Sequence, residues 1–149
     1  MSLQDEAAAL RAAVCPEALA AVVASFPAAE AITIRSNWEA IDPHFGERVP
    51  KDRRERVAYL AERADRSRGD YERGITRYIQ LRTQGPAVLS DYDVVIAGSR
   101  DPVGAVRCAL RLTVAHISYD LTMAVRLGKE LEQLEDELAA EDAMQFSLF

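Results

Sequence analysis

The sequence predicts an all-α protein: a helical bundle of five or six helices, two of them long, with a flexible C-terminal tail. Apolar residues recur at three- and four-residue spacings through two stretches, Lys51–Thr83 and Pro102–Asp142, as in helices with one buried face. Helix-opening Ser, Asp and Pro residues stand ahead of most of the periodic stretches. The strand-like run Val94–Ala97 is isolated: no companion strand and no glycine-rich phosphate loop accompanies it. At 149 residues the chain is long enough to bury a core without disulfides or metal. It divides into a bundle domain, 1–142, and a C-terminal peptide tail, 143–149.

Ser2 caps a helix over Leu3–Val14, and Asp5 closes a capping box with it. Pro16 opens a second helix, Glu17–Ser25, and Phe26-Pro27 ends it, since a residue before proline avoids helical backbone. A third helix is expected over Ala28–Ile41 despite the β-branched run Ile32-Thr33-Ile34, with Trp38 anchoring the N-terminal helices. Asp42-Pro43-His44-Phe45-Gly46 reads as a turn or a single helical turn. The first long helix follows, with Gly69 as a soft spot and Gly85-Pro86 as its end. Ser90 and Asp93 form a second capping box for a short helix over Val94–Ala97, closed by Gly98.

Asp101-Pro102, an N-cap followed by proline, opens the last helix. Its apolar stripe runs from Val103 through Leu110, Ile117 and Leu127 to Leu138, with Gly128 as the lone interruption. About forty residues at 1.5 Å each make roughly 60 Å, longer than a domain of this size is wide. The second half, with Leu131, Leu134 and Leu138 among glutamates, therefore projects or pairs with another chain. A coiled-coil homodimer through it is the expectation that follows.

The apolar fraction of 49% and charged fraction of 28% are those of a soluble globular protein. No apolar stretch approaches the roughly 20 residues that span a bilayer, so no membrane association is expected. Met1–Glu6 lacks the basic segment of a secretory signal. Cys15 and Cys108 have no metal-type spacing and read as small buried hydrophobes in a reducing cytoplasm. The expected location is cytoplasmic.

A net charge of −6 argues against bulk attraction to nucleic acid, but the charge is unevenly placed. Lys51–Arg82 carries ten basic and six acidic residues, whereas Glu130–Asp142 carries seven acidic residues and no basic one. Arg53, Arg54, Arg56, Arg63, Arg66, Arg73 and Arg77 are the candidates for DNA contact, since a guanidinium forks onto phosphate. Glu55, Glu62, Asp65, Asp70 and Glu72 lie among them at helix-pairing distances, which makes an ion-paired, solvated face the stronger reading.

Catalytic chemistry finds little footing. His116 and Asp120 share a helical face at ligand-compatible spacing, but a catalytic metal usually takes three protein ligands. A half-buried histidine hydrogen-bonded to Asp120 is the expected arrangement. The run Glu130, Glu132, Glu135, Asp136, Glu137, with Glu62 and Asp65, resembles the magnesium-binding carboxylates of all-α nucleotide pyrophosphohydrolases. The order along the chain is reversed from that family, and glutamates interleaved with leucine read better as a solvated face. No nucleophile–base pair, metal set or cofactor motif emerges, so the chain is read as non-catalytic, with no metal or cofactor.

The informative segment is Gln145-Phe146-Ser147-Leu148-Phe149, which ends in two large apolar residues, Leu148 and Phe149, after an acidic stretch. Gln-x-Ser-Leu-Phe resembles the peptide by which bacterial replication and repair proteins bind the β sliding clamp, commonly Gln-Leu-Ser/Asp-Leu-Phe. Gln145, Ser147, Leu148 and Phe149 match, and Phe146 stands where leucine is usual. The resemblance implies an accessory protein of bacterial, phage or plasmid DNA replication or repair, attached to or inhibiting the clamp through these five residues. Leu148 and Phe149 would enter an apolar groove while the Gln145 amide fixes register at its edge. Burying two such side chains contributes about 3–6 kcal/mol before ordering costs, against about 8 kcal/mol for micromolar affinity. Phe146, backbone hydrogen bonds or avidity must make up the difference. The alternative is a helical homodimer unrelated to replication, its tail packed in cis.

Overall fold

The computed structural model describes residues 2–25, 44–98 and 100–147; the expected helix over Ala28–Ile41, with Trp38, lies outside the described residues. Every regular element among the described residues is helical. These are α1 (Leu3–Ala12), α2 (Pro16–Ala24), α3 (Phe45–Arg48), α4 (Arg53–Gln84), α5 (Asp91–Ala97) and α6 (Pro102–Ser147). A 3-10 turn, Gly85–Val88, follows α4. No described helix is long and apolar enough to cross a membrane.

Local chemistry sets the helix starts. Both expected capping boxes form: the Ser2 hydroxyl accepts from the Asp5 amide, and the Ser90 hydroxyl from the Asp93 amide. Asp52 accepts from the Arg54 and Glu55 amides at 3.0 Å, so α4 begins two residues later than expected. Asp101 accepts from the Val103 and Gly104 amides ahead of α6. The Cys15 thiol accepts from the Ala18 amide at the start of α2. Cys15 and Cys108, expected as small buried hydrophobes, are both half-buried. Gly98, at φ 64°, ends α5 in the left-handed conformation that glycine adopts without strain.

α4 and α6 run antiparallel. Residue 74 of α4 meets residue 117 of α6, and Arg53 and Arg54 at the start of α4 meet Glu141 and Asp142 near the end of α6. The leucine stripe of the last helix, expected to project or to find a second chain, is covered within the chain. Leu127 and Leu134 pack with Phe45, Leu60, Ala64 and Met123, and Leu131 and Leu138 flank them. A second cluster fills the other end, where Tyr71, Ile75, Tyr78 and Leu81 meet Leu110, Val114 and Ile117 under Leu10, Leu19 and Val23.

Side-chain hydrogen bonds fasten α1 to this hairpin. The Tyr71 hydroxyl donates to the Leu10 carbonyl and lies 3.2 Å from that of Ala13, two acceptors at the end of α1. Glu6 is 3% exposed, and its carboxylate accepts from the Tyr78 hydroxyl at 3.2 Å and pairs with the Arg82 guanidinium at 2.9 Å. Burial pushes both phenols up to about 12, so they remain protonated donors at neutral pH. Arg82→Met strands the buried Glu6 charge, and the expected cost is roughly 3 kcal/mol in a urea melt at pH 7.

The two long helices approach closely at Gly74, where an added Cβ would lie 2.8 Å from Ile117 Cγ1. Gly69, five residues before it, has room: its nearest neighbour would be the Arg73 guanidinium at 3.4 Å. Gly74→Ala should therefore destabilise the protein by about 1–3 kcal/mol through overpacking. Gly69→Ala should be neutral or stabilising by up to about 1 kcal/mol, because only helix propensity changes. Paired thermal melts separate the two.

Candidate functional site

The candidate site begins where α6 loses its support. Ala139, Ala140, Glu141, Ala143, Met144 and Gln145 are all helix-compatible, and neither glycine nor proline follows Gly128. The helix accordingly continues past the expected boundary at Asp142, through Ser147. Arg53 donates to the Glu141 carboxylate at 2.5 Å and Arg54 to that of Asp142 at 3.0 Å. The hydrogen bond from Arg53 holds the Glu141 carboxyl below its ordinary value and raises Arg53 in turn.

Beyond these pairs the chain turns outward. Met144 is 68% and Phe146 85% exposed, and Gln145 is exposed. The last turn of α6 carries no basic residue to offset its negative dipole end, and seven acidic residues precede it from Glu130 on. Its final carbonyls have no partners within the helix. A helix end with Gln145 and Phe146 in water unwinds at lower cost than the buried part of the helix. Gln145, Phe146 and the backbone of Ser147 fall on this segment, and Leu148 and Phe149 lie outside the described residues.

The arginine candidates for DNA contact are already engaged. Five of the seven pair with carboxylates: Arg53 and Arg54 as above, Arg66 with Glu62, Arg73 with Asp70, and Arg77 with Asp93. Arg56 donates to the Pro50 and Lys51 carbonyls. Arg63 lies over the Phe45 ring at 6.0 Å, with its Nε buried and unpartnered. A phosphate would have to displace acidic partners along most of this helix.

The other constellations come apart. His116 is exposed on the wall of a cavity of about 80 Å³ beside Tyr92 and Leu112, and no hydrogen bond joins it to Asp120. The expected His116–Asp120 pair is thus absent; Asp120 is half-buried, within reach of the charges of Asp70 and Arg73 on α4. Glu62 and Asp65 are exposed, as are Glu130, Glu132, Glu135, Asp136 and Glu137. Among the described residues no three His, Cys, Asp or Glu side chains are placed to share a metal ion.

A groove of about 480 Å³ was not apparent from the sequence. It lies between the 45–51 segment and α6, lined by Phe45, Val49, Lys51, Leu60, Leu134 and Glu137 among others. Phe45 and Val49, four residues apart beside Pro50, were the available signal, but only the chain path shows which helix they meet. Comparison with protein-family models, curated proteins and solved structures finds no match for this chain.

Asp120 has a consequence for pH. Burial first, and then the Asp70 carboxylate, push its carboxyl up to about 7 from an ordinary 3.8, with Arg73 opposing them. The folded protein therefore keeps a proton that the unfolded chain has lost between about pH 4 and 7, so stability falls as pH rises through that window. Asp120→Asn should raise the melting temperature at pH 8 and leave it nearly unchanged at pH 4.

Proposed function

We propose that the protein is a non-catalytic adaptor of bacterial, phage or plasmid DNA replication or repair, attached to the β sliding clamp through Gln145–Phe149. The observation that carries this reading is Phe146, 85% exposed on the last turn of α6 beyond the final ion pair at Asp142. An aromatic residue held in water at the end of an acidic helix gains by docking elsewhere. The pattern Gln-x-Ser-Leu-Phe supplies the partner by resemblance. The low cost of unwinding the last turn permits the extended form that a groove-bound peptide needs. DNA contact through the arginine helix would be a secondary role, requiring exchange of carboxylates for phosphates.

A second reading, a self-associating helical protein unrelated to replication, has its own observation. Tyr92, Val95 and Ile96 of α5 and Leu112 of α6 are exposed apolar side chains, and three of these four residues wall one small cavity. The exposure of Phe146 weighs against the accompanying idea that the tail packs in cis.

Direct titration of purified bacterial sliding clamp is the test. The intact protein should bind with micromolar affinity, and the version lacking Gln145–Phe149 should not bind. Leu148→Ala combined with Phe149→Ala should weaken binding by about a hundredfold or more. No binding by the intact protein at high micromolar clamp refutes the assignment.

A further inference from the structure

α5 turns an apolar face to water. Tyr92, Val95 and Ile96 recur at the three- and four-residue spacing of one helical face, and they are 71%, 74% and 46% exposed. No residue of this helix is fully buried, and the 2.8 Å pair between Asp93 and Arg77 ties it to α4. Beside the face stands Leu112 of α6, 42% exposed, on the wall of the cavity of about 80 Å³ that Tyr92 and Ile96 also line. Arg77 and Asp93 share that wall and neutralise one another.

We infer that this face is the contact between two copies of the chain, packed about a two-fold axis beside α5. Three features select a second copy as the occupant. A protruding side chain and a hollow lie next to each other on one surface, Val95 beside the cavity that Ile96 lines. A two-fold operation then sets each copy's Val95 over the other's cavity, the self-complementarity that an isologous interface requires. The face is also uncharged apart from the Arg77–Asp93 pair, whereas a net charge of −6 opposes close approach of two like chains through charged surface. The area is of the right order. The four side chains expose on the order of 400 Å² per copy, or about 800 Å² across the two-fold, against roughly 1,200 Å² for the smallest specific interfaces. Asp91 and His116, both exposed at the margin, add to it.

This association goes beyond the adaptor reading and does not depend on it. It replaces the leucine stripe of α6, which is covered within the chain, as the route to a homodimer. Leu112 and Gln145 are about 50 Å apart along α6, so the contact leaves the C-terminal peptides outside the interface. Each dimer therefore carries two copies of Gln145–Phe149.

Sedimentation equilibrium on the full-length chain, from about 1 to 200 μM, is the test. The intact protein should pass from the monomer mass to twice that mass, with half-association near ~10 μM. Val95→Lys and Tyr92→Ala change side chains already in water, so their thermal melts at low concentration should match that of the intact protein. Val95→Lys should weaken association by about a hundredfold and Tyr92→Ala by about tenfold. Removal of Gln145–Phe149 should leave it unchanged. A chain that stays monomeric at about 200 μM overturns the inference. A dimer that withstands Val95→Lys, or that is lost on removing the tail, overturns it as well.

Discussion

The antiparallel contact of α4 with α6 is the constraint on which the rest of the structure depends. Neither helix has a polar enough inner face to stand alone, and each is too long for α1, α2, α3 and α5 to cover. Gly74 against Ile117 permits the close approach near the middle. Thr113 and Thr122, fully or nearly buried on α6, each donate to the carbonyl four residues back, so their hydroxyls are buried already satisfied. The shorter elements then dock where the hairpin leaves acceptors or apolar surface. α1 attaches through Tyr71 and the Glu6–Tyr78–Arg82 network, and α3 through Phe45.

Charge follows from the same contact. Because the start of α4 lies beside the end of α6, the basic run of one helix reaches the acidic run of the other through Arg53–Glu141 and Arg54–Asp142. Farther along, Arg66, Arg73 and Arg77 find carboxylates on their own helix or on α5. What looks in sequence like a positive helix is largely neutralised. Asp120 is the exception, a carboxyl half-buried near another carboxylate and kept protonated to about pH 7 by its surroundings.

These two features leave Gln145 and Phe146 exposed at the end of α6, past the Arg54–Asp142 pair. A helix end that follows an acidic run and carries an exposed Phe146 is suited to capture by a groove elsewhere. The adaptor reading joins this physical readiness to the peptide pattern of Gln145–Phe149. The bundle, in turn, becomes a rigid body held close to whatever the tail binds.

The sequence by itself determined most of the described helices and their capping residues, with starts shifted by up to three residues. The Ser2–Asp5 and Ser90–Asp93 boxes, the Asp101-Pro102 opening and the Gly98 stop all depend on residues within a few positions of one another, and all appear as expected. Apolar periodicity likewise located α4 and α6 to within a few residues, except that α6 runs on through Ser147 where no residue stops it. The candidate peptide was legible for the same reason, since its pattern is contiguous. Only the tertiary structure decided which carboxylates Arg53, Arg54 and Arg77 meet, that the leucine stripe of α6 is covered in cis, that His116 and Asp120 part company, and that a groove opens beside Lys51. Those outcomes depend on the relative placement of helices far apart in the chain, which periodicity and capping do not encode.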